Sequence, residues 1–391
     1  MAPYSIKTNK EHITQPALAS GIKSGKVVAL KHKQNERALL IGAGCSTKIN
    51  TNLGVSLSSP LKTELRKLDA AVRAGADTVM DLSTRDTNET LRTIIKHSPV
   101  PVGSVPIYSC FNTTDSNKLF QAIGDHIKLG ASFLTIHAAL TRRGLALSRK
   151  RVLGIVSRGG CLLSRFMVDT GEENPLYKEF DYILELFKGA GCGLSIGDAL
   201  RPGALADAND AAQLLELRLQ RGLVKRCLGA RVPVFCEGPG HMPLPTIAAN
   251  IKLQKKLCYG VPYYVLGPLV TDIGVGYDHI TAAMGGAIAG SSGADFLCVV
   301  TPTEHYSLPT EHDIYEGTIV TKLAAHAADV AKYKWAAEQD LQMSRARSAL
   351  DWPKQSKLSL AKLKIKLPKN APCTMCGDLC AILKMNQLTK K

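Results

Sequence analysis

The sequence predicts an α/β protein built on a (β/α)8 TIM-type barrel, followed by a C-terminal helical arm. Short runs rich in β-branched residues alternate with longer amphipathic or Ala/Leu-rich stretches, a pattern typical of parallel strands joined by crossover helices. The candidate strands number nine, close to the eight strands of a barrel plus one false assignment. With 391 residues, the chain is long enough to form one large barrel around a substantial core.

The candidate strands are short and apolar, and they follow one another in the order Lys48–Asn52, Thr78–Leu82, Val100–Ile107, Phe133–His137, Gly154–Ser157, Gly193–Gly197, Val232–Cys236, Tyr263–Leu266 and Phe296–Val300. The stretches between and after them predict helices at Lys62–Ala74, Glu89–Lys96, Asn117–Leu129, Leu176–Lys188, Asp207–Leu223, Leu244–Lys256, Ile280–Ala289 and Tyr315–Ala349. This alternation divides the chain into an N-terminal lead-in (1–45), the barrel (46–312), a helical region (313–352) and a lysine-rich arm (353–391).

Polar side chains stand at or just past the carboxyl end of one predicted strand after another. In a barrel all these ends open onto one face, and active sites are built from the loops there. A single polar loop residue would prove little because surface loops are generally polar, so the repetition along the chain is what predicts a site. The residues are Asn52, Asp81, Tyr108, His137, Ser157, Arg158, Asp198, Glu237 and His305.

Two of these loops have a distinctive composition. Val156–Gly160 supplies a hydroxyl, a guanidinium and two glycine amides, which favour an anionic group such as phosphate; a glycine turn with a solvated arginine is the alternative. Gly197–Gly203 places Asp198 and Arg201 three residues apart, enough to hold a polar ring on one side and a charge on the other. An Asp–Arg pair that only closes a turn is the alternative.

Two histidines are candidate ligands of a divalent metal. Glu237 and His241 flank a Gly-Pro-Gly turn that can hold both side chains toward one point, and His305 follows a later strand. Two imidazoles from two barrel loops could bind a metal and leave positions for water or substrate. Histidines that only satisfy local hydrogen bonds are the alternative.

Three cysteines near the C-terminus form the most informative motif of the chain. Cys373, Cys376 and Cys380 make a C-x2-C-x3-C run, which is too tightly spaced for three independent core residues. A [4Fe-4S] cluster held by three thiolates keeps one iron open to a substrate or cofactor, whereas structural zinc takes four protein ligands. The run therefore favours an open-iron cluster; zinc completed by a distant ligand, a disulfide and free thiols are the alternatives.

The other cysteines and the N-terminus indicate the compartment. The remaining eight cysteines are scattered singly through apolar or mixed segments, as buried, reduced cysteines are. The first ten residues contain no apolar h-region, and no apolar run reaches membrane-spanning length without Gly, Pro or charge. We therefore expect a cytoplasmic protein without a membrane partner.

The net charge of +16 raises the question of nucleic acid. Much of the excess lies between Lys354 and Lys391, where nine lysines face a single acid, Asp378. Aromatic residues are few and no nucleic-acid-binding motif is present, so nucleic acid is disfavoured. A solvated tail and attraction of a phosphorylated substrate are the better interpretations.

Eight motifs, in order along most of the chain, share one family pattern. They are Asn50–Gly54, Ala76–Thr84, Ser98–Tyr108, Gly154–Gly160, Glu237–His241, Leu266–Ile273, Gly276–Thr281 and Ala324–Asp329. Together they resemble the phosphomethylpyrimidine synthase family, also called ThiC, from about residue 12 to the C-terminus, in a short form without the N-terminal domain of bacterial members.

The resemblance implies a radical S-adenosylmethionine enzyme, a carbon–carbon lyase of thiamine biosynthesis. The family converts 5-aminoimidazole ribotide into 4-amino-5-hydroxymethyl-2-methylpyrimidine phosphate and releases formate, carbon monoxide, 5′-deoxyadenosine and methionine. The implied cofactors are a [4Fe-4S] cluster, S-adenosylmethionine and a divalent metal, usually zinc. The implied partners are a second copy of the chain, whose cluster arm can serve the neighbouring barrel, and an electron donor such as flavodoxin or ferredoxin.

The resemblance also implies roles for individual residues. It assigns the metal to His241 and His305, and the cluster to Cys373, Cys376 and Cys380. It makes Asp198 and Glu237 candidates for proton transfer. The substrate contacts fall on Asn52, Met80, Tyr108, His137, Ser157, Arg158, Gly159, Asp198, Ala199, Leu200, Arg201, Glu237 and Tyr264.

The chain departs from the family pattern at four places. Its C-x2-C-x3-C run is one residue tighter than the usual C-x2-C-x4-C, and Ala199 stands where glycine is usual, close to the expected substrate. Gly274–Val275 replaces Ala-Pro, and Tyr306–Ser307 replaces Leu-Gly. Every named ligand remains, but the departures leave room for a changed product.

Two alternative functions stay open at the level of sequence. The first is 5-hydroxybenzimidazole synthase, which takes the same ribotide toward the lower ligand of cobalamin in anaerobes. The second is a non-catalytic paralogue that binds ribotide or metal as a regulator. Cluster content separates enzyme from regulator, and nucleic-acid binding by a regulator would show a steep salt dependence.

Overall fold

The computed structural model describes residues 11–33, 35–111, 113–361, 363, 365–368 and 370–389. Residues 1–10 of the predicted lead-in, and residues 362, 364, 369, 390 and 391 of the predicted arm, lie outside the described residues. The chain forms two compact units, one ending at Ala328 and the other spanning Asp329–Lys391. The predicted boundaries at 45, 312 and 352 stay predictions.

Eight parallel strands form a closed barrel, which confirms the predicted fold class. Around the barrel β3 to β10 pair in sequence order, and β10 pairs with β3 to close the ring, while β1 and β2 form a separate antiparallel hairpin. The strands are β1 (Val27–His32), β2 (Asn35–Gly42), β3 (Lys48–Leu53), β4 (Thr78–Asp81), β5 (Val102–Ser104), β6 (Phe133–Ile136), β7 (Gly193–Ile196), β8 (Val234–Gly238), β9 (Tyr263–Val265) and β10 (Phe296–Cys298).

Helices connect the barrel strands and continue beyond them. Those up to β10 are α1 (Gln15–Lys23), α2 (Leu61–Ala74), α3 (Thr87–His97), α4 (Ser116–Leu129), α5 (Arg142–Ser148), α6 (Arg158–Thr170), α7 (Pro175–Lys178), α8 (Phe180–Phe187), α9 (Ala211–Ala230), α10 (Leu244–Leu257) and α11 (Asp278–Ser292). After β10 follow α12 (Glu311–Lys332), α13 (Lys334–Ser348), α14 (Trp352–Leu358) and α15 (Ala381–Thr389). Short 3-10 turns lie at Pro106–Cys110, Leu205–Asp207 and Gly377–Leu379.

One of the nine predicted strands was wrong. Gly154–Ser157 forms no strand; it leads directly into α6, whose N-cap is Ser157. The β-branched pair Ile155 and Val156 suggested a strand, but Val156 is partly exposed and packs against Gly203. Of the five residues in the loop predicted at Val156–Gly160, the last three belong to α6.

Other differences concern helix continuity. The long helix predicted from Tyr315 to Ala349 breaks at Tyr333, whose backbone is extended, and becomes α12 and α13. The helix predicted at Leu176–Lys188 divides at Glu179 into α7 and α8. The β1–β2 hairpin was not predicted; Leu30 of β1 packs against Gly193, the first residue of β7, at the amino end of the barrel.

Local signals explain where several helices begin and end. Asp115 caps α4 by accepting a hydrogen bond from the Asn117 N–H. Gly75 and Gly130 end α2 and α4 in the left-handed conformation, with φ of 94° and 98°, which glycine adopts without a Cβ penalty. The barrel strands differ from strands with one exposed face, since parallel strands are buried on both faces and do not have to alternate polar and apolar residues.

Three phenylalanines fill the barrel interior from alternate strands. Phe133 on β6, Phe235 on β8 and Phe296 on β10 are fully buried, with ring centroids 5.6–6.3 Å apart. Alternate strands contribute the side chains of one layer in a barrel of this kind. Gly103 on β5 leaves room for the layer, because a Cβ at this position would lie 2.2 Å from the Phe133 ring.

In the unit Asp329–Lys391, hydrogen bonds fold the chain back on α13 and α14. Gln355 donates to the carbonyl of Ala346 at 3.4 Å, and the Trp352 indole donates to that of Ala371 at 2.9 Å. Among the described residues, no helix is long and apolar enough to cross a membrane.

We expect two Gly→Ala variants to change stability in opposite directions. Gly103→Ala forces a methyl into the Phe133 ring and should destabilise the protein by about 1–3 kcal/mol, as overpacking does. Gly124→Ala lies inside α4 with no atom within 4 Å of the new Cβ, and should stabilise it by about 0.5–1 kcal/mol. Thermal or urea unfolding measures both; a stable Gly103→Ala protein would contradict the described packing of the barrel interior.

Candidate active site at the carboxyl ends of the barrel strands

One cavity at the carboxyl ends of the strands brings together most of the predicted substrate residues. Its volume is about 100 Å³. Thr135 and Cys298, which the sequence reasoning missed, also line it. The predicted residues in its wall are Asn52, Met80, Tyr108, His137, Ser157, Asp198, Arg201, Glu237 and Tyr264.

The polar floor of the cavity stands directly above the phenylalanine layer. Thr135, Glu237 and Cys298 each follow a phenylalanine of that layer by two residues on the same strand. Side chains two residues apart in a strand point to the same face. The three polar groups therefore enter the barrel from the same strands that fill it below.

Asp198 and Arg201 form an ion pair at the cavity wall. Arg201 Nη1 donates to Asp198 Oδ1 at 2.8 Å, and the backbone also closes a turn there, since Arg201 N–H donates to the Asp198 carbonyl. Burial raises the pKa of Asp198, and the guanidinium of Arg201 opposes this shift. The pair thus closes a turn and still presents both groups to the cavity.

A second arginine holds this turn in place. Arg151 donates through Nε and Nη2 to the two carboxylate oxygens of Asp210, at 2.8 Å each, and Nη2 also donates to the Leu200 carbonyl at 2.7 Å. Glu216 accepts from the Leu200 N–H at 2.9 Å. Leu200 is therefore a buried anchor of the turn and does not line the cavity.

Ala199 also lies behind the cavity. It is fully buried, and a Cβ at Gly160 would come within 2.9 Å of the Ala199 methyl. The extra methyl, expected from the sequence to stand near the substrate, instead packs on the first turn of α6. The absence of a side chain at Gly160 provides the space for it.

The amino end of α6 supplies the hydroxyl, guanidinium and amides that the sequence singled out. Ser157 caps the helix, with Oγ accepting from the Gly160 N–H at 3.2 Å. The Arg158 guanidinium lies 5.2 Å from the centre of the Tyr108 ring. A helix amino end with free N–H groups favours an anion, so the arrangement suits a phosphate group.

His137 is held as a neutral imidazole. Its Nε2 lies 3.1 Å from Ser157 Oγ, and a Cβ at Gly159 would meet the ring at 2.3 Å, so Gly159 leaves space for the ring without lining the cavity. Burial lowers the pKa of His137 to about 3, and the positive charge of Arg201 acts in the same direction. The ring can therefore accept or donate hydrogen bonds but carries no charge near neutral pH.

A hydrogen-bonded chain of amides and hydroxyls orients the opposite wall. The Asn50 amide donates to the Tyr264 hydroxyl at 2.8 Å and to Asn52 Oδ1 at 2.9 Å, and it accepts from Thr78 at 2.8 Å. Asn52 in turn donates to Cys298 Sγ at 3.3 Å. Asn50 and Thr78 are buried within strands, which is why polarity at strand ends did not reveal them.

The two histidines predicted to bind metal face each other. His241 Nε2 and His305 Nε2 lie 3.3 Å apart. The Nδ1 atoms point to carboxylates, His241 to Asp272 at 2.7 Å and His305 to Asp278 at 3.0 Å. Burial lowers the pKa of His241, and the hydrogen bond to Asp272 opposes the shift.

This arrangement fits one metal ion between the rings. Two nitrogens about 2.0–2.1 Å from a tetrahedral zinc ion lie about 3.3–3.4 Å apart, which matches the observed separation. Metal-binding histidines almost always donate the other ring N–H to a carboxylate, carbonyl or water. Among the described residues, no group of three or more His, Cys, Asp and Glu side chains is arranged to hold a metal ion.

A larger cavity of about 560 Å³ adjoins the first. The two share Asn52 and Leu82, and the wall of the larger one includes Arg158 and His305. A buried ion pair contributes to the same wall, since Lys67 Nζ lies 2.7 Å from Glu64 Oε1. Arg158 of α6 and His305 thus face a common space.

The three C-terminal cysteines lie in a series of tight turns. The Gly377 N–H donates to the Cys373 carbonyl, and the Cys380 N–H donates to that of Gly377. All three thiols are free; Cys376 is exposed, Cys373 is partly exposed and Cys380 is buried. Their donor chemistry fits an iron–sulfur cluster, although the described structure does not group the three sulfurs around one point.

Comparison with known proteins places the chain in a family of enzymes. Residues 4–387 match the model of the radical SAM ThiC family, and the chain belongs to that family. This confirms the resemblance inferred from the motifs. Membership implies an iron–sulfur cluster and S-adenosylmethionine as cofactors.

The relatives carry one name. The chain is 47% identical over 402 residues to the phosphomethylpyrimidine synthase of Thermoanaerobacter sp. (strain X514), covering 96% of this chain and 93% of the relative. It is 44% identical over 397 residues to that of Ignicoccus hospitalis, covering 95% and 90%. Among solved structures, dihydropteroate synthase from Thermus thermophilus matches with a TM-score of 0.46 at 14% identity, covering 78% of this chain and 100% of that one.

Because His137 is buried as a neutral ring, we expect the contribution of this residue to the free energy of unfolding to depend on pH. Its folded-state pKa of about 3 lies below the unfolded value of about 6.5, so this contribution is present above pH 6.5 and is lost as the pH falls toward 3. The difference in unfolding free energy between wild type and His137→Gln should shrink by about 1.4 kcal/mol from pH 7.5 to pH 5.5. Urea unfolding at both pH values measures it, and a constant difference would contradict the assignment.

Proposed function

We propose that the chain is a phosphomethylpyrimidine synthase, which converts 5-aminoimidazole ribotide into 4-amino-5-hydroxymethyl-2-methylpyrimidine phosphate in thiamine biosynthesis. Formate, carbon monoxide, 5′-deoxyadenosine and methionine are the co-products, and the reaction class is a carbon–carbon lyase. The observation that carries the proposal is the family match over residues 4–387, together with relatives of that name at 44–47% identity over nearly the whole chain.

The geometry supports a ribotide as the substrate. The amino end of α6 offers N–H groups and the Arg158 guanidinium to a phosphate, and the cavity beside it is lined by groups that suit a polar ring. Tyr108, beneath Arg158, would limit how far this side chain moves. In this assignment Arg158, Ser157 and Gly159 hold the phosphate end.

The ring and ribose would contact the cavity wall. Asp198, Arg201 and Glu237 provide a carboxylate pair and a cation, and His137 provides a neutral donor or acceptor. Because burial raises the pKa of Asp198, this group is suited to exchange a proton during the rearrangement. Asn52, Met80 and Tyr264 would complete the substrate contacts; Ala199 and Leu200 would act from behind the cavity.

A divalent metal, which we take to be zinc, would be held by His241 and His305. The fit of the two Nε2 atoms to one tetrahedral ion supports this assignment. Such an ion supplies Lewis-acid polarisation and open positions for oxygen or nitrogen ligands. Asp272 and Asp278 would keep both rings oriented with Nε2 toward the ion.

The cluster would be held by Cys373, Cys376 and Cys380. When reduced, a [4Fe-4S] cluster supplies the electron that cleaves S-adenosylmethionine to methionine and a 5′-deoxyadenosyl radical. The buried cavity floor and its apolar members Met80, Leu82 and Val105 would exclude water from the radical chemistry. A homodimer, a flavodoxin- or ferredoxin-type reductant and a cytoplasmic setting stay predictions.

The first test is an anaerobic assay of the iron-reconstituted, dithionite-reduced protein with S-adenosylmethionine and aminoimidazole ribotide, with products identified by mass spectrometry. We expect the pyrimidine phosphate together with 5′-deoxyadenosine. Hydroxybenzimidazole in its place would reassign the product, and absence of any consumption with a verified cluster would overturn the enzymatic proposal.

Cys376→Ala should abolish cleavage of S-adenosylmethionine because one of the three thiolate ligands is lost. The variant should keep the thermal stability of the barrel, and Cys161→Ala, which removes another exposed free thiol, serves as the matched control. Iron content and 5′-deoxyadenosine formation are the measurements. Full cleavage activity in Cys376→Ala would reject the cluster assignment.

His241→Ala should weaken zinc binding by more than the roughly 10–100-fold that loss of an outer-shell partner causes. Zinc alone is titrated into the iron-reconstituted protein, in which the cluster occupies the three cysteines, by anaerobic calorimetry, and the bound metal is counted by mass spectrometry. His97→Ala, which removes an exposed histidine at the end of α3, is the control and should bind zinc as wild type does. Equal affinity of all three proteins would place the metal elsewhere.

A further inference from the structure

Two hydroxyl groups hold the Glu237 carboxylate by a single oxygen. Thr135 Oγ1 donates to Glu237 Oε1 at 2.6 Å, and Ser195 Oγ donates to the same oxygen at 2.7 Å. Thr135 is 4% exposed and Ser195 is completely buried. Neither residue stood out in the sequence, because each lies inside an apolar strand.

The strand register produces this contact. Thr135 on β6 is in register with Ser195 on β7, and Ser195 is in register with Phe235 on β8. Glu237 lies two residues beyond Phe235, as Thr135 lies two residues beyond Phe133, so both side chains enter the barrel in the layer above the rings, with Ser195 on the strand between them. The three side chains therefore come from three adjacent strands of a rigid barrel.

The backbone of Glu237 is also fixed. The Gln220 amide donates to the Glu237 carbonyl at 3.1 Å, and a Cβ at Gly238 would lie 2.2 Å from the Tyr263 ring. With the backbone held in this way, the hydrogen bonds from the two hydroxyls set how the carboxylate is rotated.

A carboxylate oxygen has two lone-pair sites, and Thr135 and Ser195 fill both sites of Oε1. Within the described residues no protein group donates a hydrogen bond to Oε2 of this cavity-lining side chain. Oε2 is thus the oxygen available to a ligand, and it can only accept.

We propose that Thr135 and Ser195 are positioning residues, which hold Glu237 so that its Oε2 accepts a hydrogen bond from an amine or hydroxyl of the substrate. The inference rests on the proposed function, since it takes the aminoimidazole ribotide as the ligand. It assigns an acceptor-only contact to this side of the cavity. A substrate analogue that presents a lone pair at this point would be rejected.

Replacing Glu237 by alanine separates positioning from simple structural support. In Glu237→Ala no carboxylate remains for the two hydroxyls to hold. If the hydroxyls position Glu237, removing them by Thr135→Val and Ser195→Ala should weaken ribotide binding in the wild-type background and have no further effect in Glu237→Ala. A purely structural role predicts the same loss in both backgrounds.

The experiment measures the affinity of 5-aminoimidazole ribotide by calorimetry, without reductant, for wild type, Thr135→Val/Ser195→Ala, Glu237→Ala and the triple variant. We expect the double variant to bind on the order of tenfold more weakly than wild type. The triple variant should bind as well as Glu237→Ala. Ser132→Ala, which alters a buried serine at the amino end of β6, should bind as wild type does.

A conservative variant gives a further check. Thr135→Ser keeps the donor and should restore affinity relative to Thr135→Val. Equal losses on removing the hydroxyls in the wild-type and Glu237→Ala backgrounds, or no loss in either, would overturn the positioning role.

A ligand-free measurement separates this inference from the proposed function. Thermal unfolding of the same four proteins forms a double-mutant cycle, and the hydrogen bonds to Oε1 predict that the stability effects of the hydroxyls and of Glu237 are not additive. Additive effects would overturn the positioning of Glu237 by the two hydroxyls, even if the ribotide binds. If wild type fails to bind the ribotide but the cycle is non-additive, the proposed substrate and the acceptor role are overturned. The hydrogen bonds that hold Glu237 would then still stand.

Discussion

The packing of Phe133, Phe235 and Phe296 inside the barrel is the constraint on which the site depends. Each ring is fully buried and comes from an alternate strand, so the layer fixes the strands relative to one another. Two residues above the rings, the same strands deliver Thr135, Glu237 and Cys298 into the cavity. Close packing tolerates little displacement, and the polar groups inherit that rigidity.

Contacts behind the cavity hold its charged side chains in place. Arg151 binds Asp210 and the Leu200 carbonyl, and so fixes the turn that presents Asp198 and Arg201. His137 is neutral because burial and Arg201 both disfavour its protonation. The resulting wall has the amino end of α6 on one side and the Glu237 carboxylate on the other, an asymmetry that suits the proposed ribotide.

The two facing histidines are also positioned by the barrel. His241 and His305 come from the loops after β8 and β10, and only closure of the barrel brings their Nε2 atoms to 3.3 Å. Asp272 and Asp278 lie on the loop after β9 and at the start of α11, between them in sequence. Four separate segments therefore converge on one ion-sized space.

The sequence by itself determined the fold class, the family and the residue types of the site, because hydrophobic alternation and short motifs are local properties. It identified Asp198, Glu237, His241 and the cysteine run, whose spacing is written in the chain. Tertiary structure alone decided the rest. Thr135, Ser195 and Asn50 lie inside strands, where the strand register gives them their partners. Gly154–Ser157 leads into a helix. The Ala199 methyl packs against Gly160. Which groups touch depends on strand register and closure, which no short stretch of sequence contains.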